Sequence, residues 1–266
     1  MHSALKPIRS RDNPQYKALR QLATSASARK KAGQTLLDGI HLCQAWLAHQ
    51  GAPALCVVSE TACADVEVAA IVAECVARQA VCLLLPDALF GPLSQVDNGV
   101  ALLFLVDIPR REGVNTLTQS AVLLDQLQDP GNLGSILRSA AAAGIKQVFC
   151  SAGSVAAWSP KVLRAGMGAH FVLEIVENAD LHALVGSATI PVLATSSHAD
   201  STVFAADLTQ SLAWLFGHEG QGVSTSLLAM ATQQVAIPHA GEIESLNVAA
   251  SAAVCLFEQM RQRLQH

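Results

Sequence analysis

Three short stretches in the C-terminal half hold residue types able to do chemistry. In AVLLDQLQDPGNLGSILRSAAAAG (121–144) an apolar run ends in Asp129-Pro130-Gly131-Asn132, and a small-residue helix follows until Gly144. These turn residues redirect the chain, and Asn132 is of a type that caps helix N-termini. At about 100° per residue, Leu133, Ile136, Leu137 and Ala140 share one face, and Gly131, Ser135, Arg138 and Ala142 share the other. Arg138 therefore projects from a face without bulk. There its planar fork can bind a phosphate or carboxylate; the plainer alternatives are a salt bridge or a surface cation.

The second stretch is LFGHEGQGVS (215–224). Gly217, Gly220 and Gly222 allow a tight bend and close approach to a ligand, with Glu219 in the middle as a candidate acid, cation ligand or cap for the helix at Ser224. The third is VAIPHAGEIESLNVAASAAVCLFEQMRQRL (235–264), in which Ser245, Leu246 and Asn247 open the last helix. Ser245 and Asn247 are also ordinary capping types. Leu246, Ala250, Ala253, Phe257, Met260 and Leu264 fall on one face, expected to be core or a subunit contact.

The elements around these stretches alternate. In the N-terminal half TLLDG, ALCVVSE, AVCLLLP and GVALLFLVD are expected strands, with helices near 40–50 and 65–79. The polar segment IPRREGVNTLTQS (108–120) is the expected linker between a domain at 1–107 and one at 121–266. In the second domain AVLLDQL, KQVFCS, FVLEIV, PVLATSS, LAWLFG and QQVAIP are expected strands. Such alternation predicts an α/β fold with a mostly parallel sheet covered on both faces. Ligands of such sheets bind beyond the carboxyl ends of the strands, which is where the three stretches begin.

Composition narrows the classes. Half of the 266 residues are apolar and 4% are aromatic, so the core rests on aliphatic side chains. No apolar run reaches the ~18 residues of a membrane helix, and the N-terminus lacks the apolar core of a signal peptide. Seven cysteines without a C-x-x-C pair read as reduced, buried thiols of a cytoplasmic protein. The net charge of −4 hides an asymmetry. Residues 1–31 hold eight basic residues and one acidic; the rest hold nine basic and twenty acidic. A basic arm meeting an anion is expected, with Arg9, Arg11, Lys17, Arg29, Lys30 and Lys31 as its contacts. The dinucleotide and P-loop glycine patterns, zinc-ligand spacings and the G-x-S-x-G elbow are all missing.

In order and spacing, LLDQLQDPGNLGSILRSAAAAG, FGHEGQGVS and IPHAGEIESLNVAASAAVCLFE resemble the three signature motifs of the SpoU (TrmH-like) RNA methyltransferases of the SPOUT class, over about 121–260. IRSRDNPQYKALRQLATSASARKKAGQTLLDGIHL and SQVDNGVALL are similar to the substrate-binding domain of members that modify ribosomal RNA, with Asp38 where a Glu is more usual. The resemblance implies a trefoil-knotted α/β domain, S-adenosylmethionine (AdoMet) as cofactor, a ribose 2′-OH of RNA as methyl acceptor, and a homodimer with its active site near the interface. It assigns catalytic roles to Asn132, Arg138, Glu219, Ser245 and Asn247, and cofactor contacts to Gly217, Ile237, Leu246 and, more weakly, Thr195. His218 stands where Asn or a small residue is more common.

Methyl transfer from a sulfonium needs help at the nucleophile, because a ribose hydroxyl is a very weak acid. A guanidinium does not deprotonate in proteins, so the expected role of Arg138 is to hold a phosphate and stabilise the developing alkoxide. A phosphate oxygen, Glu219 or water then takes the proton. No metal is expected. DNA lacks the 2′-OH, so the expected partner is RNA, 23S ribosomal RNA ahead of transfer RNA. The alternatives are a transfer-RNA methyltransferase, an RNA-binding protein keeping this fold without turnover, and a nucleotide-dependent oxidoreductase.

Overall fold

The computed structural model describes residues 5–96, 99–109, 116–242 and 245–265. Its strands are β1 (Leu5–Pro7), β2 (Gln34–Asp38), β3 (Leu55–Ser59), β4 (Val81–Leu85), β5 (Leu102–Asp107), β6 (Ala121–Leu124), β7 (Gln147–Ser151), β8 (Glu174–Ala179), β9 (Val192–Thr195), β10 (Ala213–Phe216) and β11 (Gln233–Val235). Its helices are α1 (Pro14–Thr24), α2 (Ala26–Ala32), α3 (Ile40–His49), α4 (Val66–Ala77), α5 (Asp87–Phe90), α6 (Pro130–Ala142), α7 (Pro160–Gly166), α8 (Leu181–Gly186), α9 (Thr225–Met230) and α10 (Val248–Arg263). Contacts divide the chain into two compact units. The first takes the described residues up to 109 and also Trp158–Phe171; the second takes the rest. Residues 110–115 of the expected linker 108–120 lie outside the described residues, as do 97–98 and 243–244 within the quoted motifs.

In the first unit the sheet order is β1-β4-β3-β5-β2. β1, β4 and β3 are parallel, whereas β5 runs antiparallel to both β2 and β3. The basic segment, expected as an arm, is folded from Leu5 onward. Asn13 caps α1 by accepting from the amides of Gln15 and Tyr16, with Pro14 at the first helical position. Ser25 ends α1 and caps α2, which stops at Gly33 in the left-handed region (φ 64°). The apolar positions Ile8, Tyr16, Leu19, Leu22 and Ala23 are buried in one cluster with Leu36, Val57, Leu83 and Phe90. Charge had masked an amphipathic helix, so these residues cannot be removed without opening the core. Trp158–Phe171 joins this unit through its own contacts: Thr35 Oγ1 donates to the Trp158 carbonyl (2.9 Å), and Trp46 meets Phe171 edge-on at 5.3 Å.

The second unit carries a six-stranded, wholly parallel sheet in the order β11-β9-β10-β6-β7-β8. Residues pair in register as Phe216 with Leu124, Leu215 with Ala194, and Val235 with Thr195. The chain therefore leaves β6, β9, β10 and β11 side by side at one edge, and the loops from these four ends build the site. On α6 the expected face holds: Leu133, Ile136, Leu137 and Ala140 are buried, while Gly131, Ser135, Arg138 and Ala142 are exposed. The cap is Asp129 rather than Asn132. Its carboxylate accepts from the Asn132 amide at 2.8 Å, which puts Asn132 inside the first turn with its side chain free for other work.

On α10 the buried face is Ala252, Cys255, Leu256 and Gln259, not the one expected as core. Leu246, Ala250, Ala253, Phe257, Met260 and Leu264 are partly or fully exposed, Phe257 by 42% and Leu264 by 77%. The helix is apolar on two sides, and a polar residue decides which one turns inward. Gln259, only 2% exposed, accepts from the Trp214 indole N–H at 2.9 Å, an interaction that only the fold reveals.

All seven cysteines are free thiols, and six are buried. Among the described residues no helix is long and apolar enough to cross a membrane.

Candidate active site

The site begins with a carboxylate already engaged by three donors. Glu219, on the loop after β10, accepts at Oε1 from the Asp129 amide (2.9 Å) and Asn132 Nδ2 (3.1 Å), and at Oε2 from the Gln128 amide (3.1 Å). Burial pushes its carboxyl up, but donors from Asp129, its own backbone, Asn132 and Gln128 outweigh that and hold it below the ordinary carboxylate range. Glu219 thus ties the loop after β6 to the loop after β10. A carboxylate held ionised by several donors is a poor acceptor for a substrate proton.

Asn132 extends the network. Its Oδ1 accepts from Asn247 Nδ2 at 2.9 Å. Asn247 in turn caps α10, its Oδ1 accepting from the amides of Ala249 (2.9 Å) and Ala250 (3.2 Å). The two amide orientations are fixed by these partners. One chain of hydrogen bonds, from the start of α10 through Asn247, Asn132 and Glu219 to residues 128–129, therefore joins all three stretches singled out in the sequence.

Beside this network lies a cavity of about 380 Å³. Thr195, Gly217, Ile237 and Leu246 line it, with Glu219 and Ser245. Gly217 permits a close crossing of the backbone: a β-carbon there would sit far inside contact distance of the Gly222 carbonyl group and the Val223 nitrogen. Val223, Leu228 and Val235 give apolar wall, and Ser196, Ser197 and Ser251 give hydroxyls. Sequence reasoning did not single out these residues, nor His198 and His239, which also line the cavity. Most follow a strand end within a few positions, and that proximity was the available signal.

Arg138 belongs to neither group. It is exposed on α6, and among the described residues the structure gives it no hydrogen bond or ion pair. Of the cations expected to meet RNA, Arg9, Arg11, Lys17, Lys30 and Lys31 are exposed. Lys17 also pairs with Asp12 at 2.9 Å. Arg29 differs, since its guanidinium donates to the Leu22 carbonyl at 2.7 Å and closes the end of α1. Asp38, half-buried at the end of β2, accepts from Ser94 Oγ and the Gln95 amide, both at 2.9 Å. It fixes a loop within the first unit.

Comparison with known proteins fits this arrangement. Residues 119–257 match the SpoU rRNA Methylase family. An uncharacterized tRNA/rRNA methyltransferase of Synechocystis is 35% identical over 98% of this chain and 96% of its own. The 23S rRNA (guanosine(2553)-2′-O)-methyltransferase of Bacillus subtilis is 28% identical over 95% of this chain and 98% of its own. The crystal structure of an AdoMet-bound rRNA methyltransferase from Sinorhizobium meliloti superposes with a TM-score of 0.84 at 25% identity, over 97% of this chain and 98% of that one. The hydrogen-bonded network, the cavity at the strand ends and the span of the match lead to one assignment: the chain belongs to the SpoU rRNA methylase family.

Proposed function

We propose that this protein transfers the methyl group of AdoMet to a ribose 2′-OH of RNA, with 23S ribosomal RNA as the substrate ahead of transfer RNA. The observation that carries the reading is the cavity at the ends of β9, β10 and β11, set against a network that uses Asn132, Glu219 and Asn247 together. Its volume is in the range of small-molecule and cofactor sites. Its lining suits a nucleoside joined to an amino acid, with Val223, Leu228, Val235 and Ile237 as apolar wall for a base and Thr195, Ser196 and Ser245 as hydroxyls for polar groups. When bound, AdoMet supplies a methyl group already activated by a sulfonium. Family membership implies that the C-terminal segment folding around this cavity is trefoil-knotted.

The residues of the chain then divide the work. Arg138 holds the phosphate next to the reacting ribose and stabilises the oxygen as negative charge develops on it. Ser245 orients the ribose. Asn132 and Asn247, locked to each other, and Glu219, locked to residues 128–129, set the shape against which that ribose is held. With Glu219 occupied, the proton goes to a phosphate oxygen of the RNA or to water. The exposed cations Arg9, Arg11, Lys17, Lys30 and Lys31 supply salt-dependent grip on RNA, while Arg29 holds the fold beneath them.

The outer face of α10, with Phe257 and Leu264 exposed and Met260 half-buried, supports a homodimer in which this face is covered. The reading needs no metal and places the protein in the cytoplasm, where its RNA is found. Titration with AdoMet and mapping of 2′-O-methyl positions in RNA from cells with and without the protein test it. Binding of AdoMet together with one missing methyl in 23S RNA is the expected result; no binding and an unchanged map would overturn it.

A further inference from the structure

The loop after β10 is closed twice over by backbone. His218 N donates to the Gly222 carbonyl at 3.0 Å, and Gly222 N donates to the His218 carbonyl at 2.8 Å. Inside this ring the Gly220 amide donates to His218 Nδ1 at 2.9 Å. A backbone N–H can only donate, so Nδ1 must accept, and the neutral ring carries its proton on Nε2. A side chain accepting from the amide two residues on is the pattern of an Asx turn. The same chain uses it at Asn13, Asp65, Asp207 and Asn247, each with an oxygen acceptor. His218 does this with a ring nitrogen, and the residue lines the cavity.

The substitution of nitrogen for oxygen matters because a carboxamide oxygen accepts at any ordinary pH. A ring nitrogen stops accepting once it is protonated, and the Gly220 amide then faces another donor. The ring must turn or the loop must open, and a positive charge is added to the cavity wall. The ionisable groups around it are few. Glu219, next in the chain, is turned to Gln128, Asp129 and Asn132. His198 and His239, exposed on the loops after β9 and β11, line the same cavity. Among the described residues no other ionisable side chain is in its lining.

We propose that His218 is a positioning residue that holds the wall of the cofactor cavity through Gly220, and that only its neutral form supports tight cofactor binding. The inference rests on the reading of the cavity as an AdoMet site. Acid then opposes binding in two ways, by removing the acceptor and by placing a cation near a sulfonium.

The test is calorimetric titration of the full chain with AdoMet at pH 8 and pH 5, on wild type, His218→Ala, His218→Asn and the double variant His198→Asn/His239→Asn. Any effect of pH on free AdoMet is common to all four. Wild type should lose affinity by roughly tenfold on acidification, the equivalent of one hydrogen bond. His218→Ala should already be weakened by about that factor at pH 8 and lose little more in acid. His218→Asn should rescue the alanine defect and bind about equally at both pH values. The double variant should keep the acid loss of wild type. Wild-type affinity in His218→Ala at pH 8, or an undiminished acid loss in His218→Asn, would overturn the proposal. Failure of wild type to bind AdoMet at pH 8 would instead remove the cofactor reading beneath it.

Discussion

Replacing Glu219 by glutamine separates a positioning carboxylate from a catalytic base. In the structure the two oxygens take three donors, from Asp129, Asn132 and Gln128. Glutamine keeps one oxygen, enough for two of these, and turns an N–H toward the third. The variant therefore loses one charge-assisted hydrogen bond and weakens two others. Hydrogen bonds to charged groups contribute about 1.5–3 kcal/mol each when well shielded. Glu219 is exposed, so solvent screening reduces the expected loss to about 1–2 kcal/mol in all. Urea unfolding of wild type and Glu219→Gln, followed by circular dichroism, reads this difference.

The pH dependence has a definite sign. Glu219 is held below the ordinary carboxylate range in the folded protein. Its stabilisation is complete above the unfolded value of about 4.3 and is lost as pH falls through the lower, folded value. The gap between wild type and variant should be constant from about pH 8 to about pH 5 and narrow below about pH 4. No gap at pH 7, or one unchanged down to pH 3, would refute the reasoning. A general base without a positioning role would give no gap and only a loss of turnover.

Gly217→Ala places a β-carbon against the Gly222–Val223 backbone, so it should cost about 1–3 kcal/mol and abolish measurable AdoMet binding by calorimetry. Arg11→Glu/Lys30→Glu/Lys31→Glu should weaken RNA binding at least tenfold at about 150 mM salt and flatten its salt dependence, with AdoMet affinity unchanged. Equal RNA binding in filter assays would remove these residues from the interface. The triple variant is a cleaner probe than deleting residues 1–31, which would take Ile8, Tyr16, Leu19 and Leu22 out of the core.

Where one face of an element is apolar and the other is not, the sequence could be read directly. The buried stripe of α6 is of this kind, and so was the exposure of Arg138; the central strands were legible instead as short apolar runs buried on both faces. α10 was harder, because small and apolar residues occur on both sides and the choice rests on Gln259 and Trp214, forty-five residues apart. In α1 and α2 the density of lysine and arginine concealed a regular apolar spacing. The grouping of Trp158–Phe171 with the first unit depends on tertiary contacts that no local pattern encodes. For the site, residue types at strand ends singled out Asn132, Glu219, Ser245 and Asn247. The hydrogen bonds that join Asn132 to Glu219 and to Asn247 became visible only in three dimensions, and in the proposed reading they make Glu219 a support. The acceptor role of His218 was also hidden, since it depends on the bend of Gly220 back toward the ring.

The central claim is that the exposed Arg138 guanidinium on α6 activates a ribose oxygen beside the proposed AdoMet cavity. The most direct measurement is the single-turnover rate of methyl transfer to 23S RNA for wild type, Arg138→Lys and Arg138→Ala, with AdoMet affinity measured in parallel. Loss of one electrostatic stabiliser should lower the Arg138→Ala rate by about 100- to 1,000-fold. Arg138→Lys should fall in between and AdoMet affinity should stay unchanged. An Arg138→Ala protein that methylates RNA at the wild-type rate would contradict the account.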